Sequence, residues 1–396
     1  MAGRRRTSGP AVLAAGLLLS SLVSCGGPSA SDLAREQVQR LLDRRAAAVL
    51  HHDPAAYAAT GARAPYANLK AVPFTTWSYR LTALRRSGSR ATAEADLRYR
   101  VTGYDRAPVT AGRTLTLSTG PDGKWRVDSE RPRAKAAQQL WDQGAVSVVR
   151  GRRSLVLGVG QDDAALRGYA GLADRAVPAV SRAWGTDWSR HVVVLVPGSL
   201  EQMAALLGSP ASSYRGIAAV TTGEAGGSGR APADRVVLNP DAYGMLGSLG
   251  RQVVLTHETT HVATRAHTNA ATPLWLSEGY ADWVGYRDTG RTPQDAAPEL
   301  QRAVGDGEVP GALPADRDFG FAGDATRLAR AYEGGWMACR MIADKWGEDR
   351  LDDFYRAVGR HRSRSGAVED ALRDEFGTTL EDFTAQWREY LTAHLG

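Results

Sequence analysis

Val253-Val-Leu-Thr-His257-Glu258-Thr-Thr-His261-Val262 carries more chemistry than any other stretch of this chain. Residues four apart on an α-helix lie on one face, one turn apart, so the imidazoles of His257 and His261 can reach a single cation. Glu258 projects to the side of that pair, where its carboxylate could take a proton from a water polarised by the cation. Val253, Val254, Leu255 and Val262 supply an apolar surface that buries such a helix against a core.

Downstream lies Pro273-Leu-Trp-Leu-Ser-Glu278-Gly-Tyr-Ala-Asp282-Trp, with sixteen residues separating His261 from Glu278. Together the two segments resemble the gluzincin metallopeptidases, in which H-E-x-x-H is followed by W-L-x-E-G-x-A. The resemblance implies that Glu278 is the third ligand, that the metal is Zn2+, and that the fold is thermolysin-like, mostly helical with a small sheet. Two histidines and one carboxylate leave a fourth position open for water, as a catalytic zinc requires. Asp282 falls one turn after Glu278 on the same face, and in related enzymes a carboxylate there orients the first histidine, here His257.

A third segment, Tyr332-Glu-Gly-Gly335, resembles the Y-E-x-G of aminopeptidase-type gluzincins, whose tyrosine hydroxyl stabilises the tetrahedral oxyanion. A tyrosine capping a core helix is the other reading of Tyr332. The resemblance covers roughly residues 161–396 and is closest to bacterial peptidase MA-like proteins. One element of the aminopeptidases is missing: the G-x-M-E-N segment whose glutamate grips a free amine. The corresponding stretch, 220–240, has only Glu224, in a loop (223–233) rich in Gly, Ser and Ala. An endopeptidase is therefore the more natural expectation. The strand Arg235-Val-Val-Leu-Asn239 either offers its edge to an extended peptide, as the matching strand does in this clan, or is an ordinary buried strand.

Toward the N-terminus the pattern changes. Leu33, Val38, Leu41, Leu42, Ala46 and Val49 recur at helical spacing, and strand-like segments follow at 76–84, 91–102, 113–118 and 124–128, the last closing a Pro121-Asp-Gly-Lys turn. One long helix followed by a curved antiparallel sheet resembles the nuclear transport factor 2-like α+β roll over residues 33–130. Such rolls hold a small ligand or serve as spacers and docking modules. Residues 131–160 read as a connecting segment with two short apolar strands, 163–184 as a helix, 191–196 as a buried strand, and the chain beyond Leu246 as helices. The fold class is thus α+β.

Residues 1–25 read as a targeting segment: Arg4, Arg5 and Arg6 precede an apolar run too short to span a bilayer. Its Leu22-Val-Ser-Cys25 ending resembles the lipobox of bacterial lipoproteins. That implies cleavage before Cys25, lipidation of its sulfur, and an extracytoplasmic chain anchored to the cell membrane by residues 26–32 as a tether. The formal charge of +6 includes those three arginines, and the remaining basic residues are scattered rather than clustered, so no nucleic-acid footprint is present. Of the two cysteines only Cys339 remains once Cys25 is acylated, and its apolar surroundings mark a core thiol.

These readings converge on a membrane-anchored zinc metallopeptidase acting on peptide or protein substrates, with His257, His261 and Glu278 as ligands, Glu258 as base and Tyr332 as oxyanion donor. A second class stays open: a lipid-anchored binding or assembly protein that keeps the zinc fold as an idle scaffold. A zinc hydrolase of non-peptide bonds is a third, because no substrate-pocket motif is legible.

Overall fold

A computed structural model of the chain describes residues 30–222, 233–320 and 324–396. Cys25 and the targeting segment, Glu224, and nearly all of the loop 223–233 lie outside the described residues. Among the described residues no helix is long and apolar enough to cross a membrane. The architecture is α+β: a helix-plus-sheet unit at the N-terminal side, a second small sheet, and a large helical assembly.

The first unit begins with α1 (Ala30–Leu50) and two short helices, α2 (Pro54–Ala59) and α3 (Ala64–Leu69). Four antiparallel strands follow in sequential order: β1 (Phe74–Ser87), β2 (Arg90–Val101), β3 (Val109–Thr119) and β4 (Trp125–Pro132). In β2 the alternate residues Ala91, Ala93, Ala95, Leu97, Tyr99 and Val101 are buried, the period-two pattern of a sheet covered on one face. Register shifts at Phe74/Thr76 and Leu81/Ala83 in β1 bend the sheet around α1, whose Val38, Leu41, Leu42 and Val49 fill the concavity.

That concavity also encloses charge. Arg45 and Arg113 both reach Glu130, at 3.3 and 3.1 Å, and Arg113 holds Asp142 through two bonds of 2.7 and 2.9 Å. Tyr79 donates its hydroxyl to Glu130 at 3.0 Å, Arg45 donates to Thr60, and the Arg45 guanidinium lies 3.8 Å from the Tyr57 ring centroid. Two cations and two anions thus compensate one another at this core, with Asp142 supplied by the segment that follows the sheet.

Past α4 (Leu140–Gln143) the second sheet opens with β5 (Val146–Arg150) and β6 (Ser154–Val159), two strands that the sequence reading assigned to a connecting segment. The helix α5 (Asp163–Trp184) crosses to β7 (Val192–Val196), and α6 (Leu200–Leu207) precedes β8 (Ala219–Thr221) and β9 (Val236–Leu238). Strand order is β5-β6-β7-β9-β8, with β6, β7 and β9 parallel. Every residue of β6 is buried because the sheet is covered on both sides. Leu155, Leu157 and Val159 join the core of the roll, while Val156 faces the helical core. Asp105 of the roll holds Arg235, beside β9, at 2.7 Å.

The helical assembly comprises α7 (Pro240–Met245), α8 (Ser248–Thr264), α9 (Leu274–Tyr286), α10 (Pro293–Ala296), α11 (Pro298–Gly305), α12 (Ala325–Trp346), α13 (Glu348–Arg360), α14 (Ala367–Phe376) and α15 (Leu380–Leu395). From Leu255 to His261 every residue of α8 is buried, which places this helix at the centre of the core. Cys339 is fully buried on α12, as its apolar neighbourhood implied.

Behind α9, Tyr280 donates its hydroxyl to Asp352 of α13 at 2.5 Å. Burial pushes the Asp352 carboxyl up to about 7, with the Tyr280 bond and Arg356 opposing that rise only in part. An unfolded aspartate releases its proton near pH 4, whereas the folded one keeps it to about 7, so the folded state binds more protons across that window. Stability should therefore fall as pH rises from about 4 to 7. Asp352→Asn should flatten that decline by roughly 2–4 kcal/mol. Urea unfolding of wild type and variant at pH 5 and pH 8 measures it, and equal slopes in both proteins would count against the assignment. Glu333, which burial likewise raises to about 7, would leave a smaller residual slope.

Candidate metal centre and its cavity

The two histidines of α8 and the glutamate of α9 meet. Nε2 of His257 and Nε2 of His261 lie 2.9 Å apart, and Oε2 of Glu278 stands 3.3 and 3.5 Å from them. One ligand atom from each of the three residues falls within 4.8 Å of the others. This donor set suits zinc: nitrogen and oxygen ligands with bonds of roughly 2.0–2.2 Å, and three protein positions of four. Two imidazole nitrogens and a carboxylate oxygen turned toward one point are the arrangement of groups that share a cation.

Asp282, one turn beyond Glu278, accepts a hydrogen bond from Nδ1–H of His257 at 2.8 Å. This contact leaves Nε2 as the nitrogen turned toward His261 and Glu278 and fixes the plane of the ring. The electrostatics agree with a site built for positive charge. Burial disfavours a proton on His257, but the Asp282 and Glu278 carboxylates outweigh it and push the imidazole up to about 10. Burial would likewise raise Glu278, yet the two imidazoles hold it well below the usual carboxylate range.

Glu258 is buried beside this centre and receives a hydrogen bond from the Thr221 hydroxyl, Oγ1 to Oε2 at 2.6 Å. A cavity of about 420 Å3 opens next to it. His257, Glu258 and Asp282 form its polar end, and Ala219, Val254, Leu328, Ala329 and Trp336 are among its apolar walls. Tyr332 also lines it, with its ring centroid 6.4 Å from that of His257 and 5.2 Å from that of Phe319. Tyr332 lies seven residues past the start of α12 and so does not cap that helix. Its neighbour Glu333 accepts from the backbone N–H groups of Glu299 and Leu300 and so caps α11.

The glycines of the second and third segments explain how α9 and α12 come together. A Cβ on Gly279 would stand 2.3 Å from the Gly335 carbonyl, and one on Gly335 would stand 2.6 Å from the Trp275 carbonyl oxygen. The backbones touch where any side chain would hold them apart, and this contact draws Tyr332 toward the helix that bears Glu278.

Of the two readings of Arg235–Asn239, the structure favours the ordinary buried strand, because β9 pairs with β7 on one side and β8 on the other. Three consecutive buried apolar residues, Val236, Val237 and Leu238, are the mark of an interior strand. The outer strand next to the cavity is β8, whose Ala219 and Thr221 are buried toward α8 while Val220 is half-buried on the other face. Thr221 went unnoticed in the sequence: it is a polar residue ending an apolar strand, and its partner lies 37 positions away.

No family model matches the chain, and no curated protein does. Among solved structures, a glutamate-to-alanine variant of an M1 zinc metallopeptidase from Deinococcus radiodurans aligns with a TM-score of 0.37 and 17% identity. That alignment covers 79% of this chain and 60% of that one. The same variant bound to a Tyr-Ser-Ala substrate aligns with a TM-score of 0.35 and 13% identity, over 81% of this chain and 61% of that one. The chain thus spans about 60% of the length of the structures it matches.

Proposed function

We propose that this protein is a zinc-dependent peptidase, cleaving within peptide chains rather than at a free amino end. The observation that carries the reading is the convergence of His257, His261 and Glu278 within 4.8 Å, with the Glu258 carboxylate buried alongside and a cavity opening onto both. His257, His261 and Glu278 would hold zinc, which when bound would serve as a Lewis acid toward water and a carbonyl oxygen. Glu258 takes the proton from the attacking water and delivers it to the leaving amine. Tyr332, which lines the same cavity, donates its hydroxyl to the oxygen that gains charge. Asp282 holds His257 in the tautomer that the metal needs.

The strand β8 has no outer neighbour among the described residues, and an extended peptide adding to that edge would lay its backbone along the cavity. The apolar walls favour substrates with an apolar side chain beside the bond that is cut. The same reading includes attachment to the extracytoplasmic face of the membrane through lipidated Cys25, supported by the basic start, apolar run and Leu-Val-Ser-Cys ending of residues 1–25. The roll then stands between membrane and catalytic unit.

The test is metal content together with turnover on a soluble form lacking the first 30 residues. Wild type should carry about one zinc per chain and cleave members of a peptide library. Glu278→Ala should lose most of the zinc and all detectable cleavage, because two histidines alone leave the ion with half of its usual protein and water shell. Full zinc occupancy in Glu278→Ala would remove Glu278 from the ligand set. Stoichiometric zinc without cleavage of any peptide would turn the reading toward the idle scaffold.

A further inference from the structure

We infer that Thr221 is a positioning residue for the base: its hydroxyl on the outer strand β8 fixes the Glu258 carboxylate in the orientation that faces the cavity. The inference rests on the peptidase reading and adds to it a residue that neither of the two diagnostic motifs contains.

Glu258 reaches its place from the backbone of α8 through three rotatable bonds, and the helix fixes only the first atom of that side chain. Thr221 fixes the last. Its Oγ1 lies 2.6 Å from Oε2 of Glu258 and 3.0 Å from the Glu258 backbone carbonyl oxygen. A hydroxyl has a single proton, and the shorter, charge-assisted contact takes it. Thr221 is fully buried, so no water competes for that bond. Thr221 is β-branched and stiff at χ1, and its backbone is tied into the sheet opposite Val236. The anchor is therefore rigid as well as close.

The strand makes the arrangement more than a local contact. Ala219 and Thr221 share one face of β8. Ala219 forms part of the cavity wall, and Thr221 holds the base at the end of the same wall. The strand that would receive an extended peptide thus also sets the carboxylate relative to it, so the distance from bound backbone to base is fixed by one element. A misplacement of about 1 Å at such a point can cost a hundredfold in rate.

Thr221→Val keeps the shape and removes the donor. Its kcat should fall about 10- to 100-fold, with KM and zinc content unchanged, because the lost bond acts on the base and on neither substrate nor ligands. Thr221→Ser restores a donor at the same place and should recover kcat to within about threefold of wild type. A purely structural role predicts the reverse pattern, with Ser, which lacks the methyl, no better than Val. An unchanged or raised kcat in Thr221→Val, or a serine variant as slow as the valine one, would overturn the assignment. If Thr221→Val proves too unstable to assay, Thr221→Ala takes its place beside the serine variant: serine near wild type with alanine at least tenfold slower supports the hydroxyl, and equal rates in the two count against it. A wild type without zinc-dependent turnover removes both the peptidase reading and this one, whereas an active wild type with an unaffected Thr221→Val removes only the positioning role.

Discussion

Glu258→Gln is expected to keep about one zinc per chain and to lose a factor of about 10²–10⁴ in kcat. The substitution leaves His257, His261 and Glu278 untouched, and their three ligand atoms stay within 4.8 Å of one another. The glutamine carbonyl oxygen can still accept the Thr221 hydroxyl that now reaches Oε2 at 2.6 Å, so the side chain keeps its place. What disappears is basicity: an amide takes no proton from water at neutral pH. Measuring zinc and kcat on the same preparation separates this from loss of the metal. Turnover within a few-fold of wild type would remove Glu258 from the reaction, and loss of zinc would mean that the carboxylate supports the ion and not only the proton transfer.

The second large effect is on stability and lies in the N-terminal unit, away from the His257–His261–Glu278 cluster. Glu130→Ala should cost about 3–5 kcal/mol, because it leaves the guanidinium of Arg45 buried without its carboxylate. Arg45 is completely buried and Glu130 is its only ion-pair partner among the described residues; Arg113 retains Asp142. Thr60 and the Tyr57 ring remain against Arg45, but a hydroxyl and a π-face do not neutralise a cation in that environment. Replacing Arg45 by methionine in the Glu130→Ala background should recover much of the loss, since two apolar side chains in place of a buried pair are often neutral or stabilising. Urea unfolding of the three proteins measures both steps. A loss below about 1 kcal/mol for Glu130→Ala would show that water reaches the pair.

The clustering of His257, His261 and Glu278 was legible because much of its geometry is local. His257 and His261 are held together by the pitch of one helix, and Asp282 is held below Glu278 by the pitch of another, so spacing in sequence is spacing in space. The strands of the roll were legible for a similar reason: burial on one face forces alternation in β2, and the Pro121–Lys124 turn forces the return. Helix α5 and strand β7 stand out by the length and continuity of their apolar patterns.

Other features depend on which segments meet, and spacing along a chain says nothing of that. The place of β9 was decided only once its neighbours were known, because an apolar strand reads the same whether it is interior or outermost. The strands β5 and β6 belong to the second sheet only because β6 pairs with β7. Gly279 and Gly335 are unremarkable in sequence, and their reason is a backbone contact between two helices. Thr221 acquires its partner only when β8 packs on α8, and the ionic cluster of Arg45, Arg113, Glu130 and Asp142 gathers from four separate elements. Residue type and periodicity decided which groups could hold a metal and which segments would be helix or strand, since those follow from one backbone's own repeat. The cavity, the outer strand and the contact that holds Glu258 came from long-range packing, where the energy of burial chooses among partners that no local pattern distinguishes.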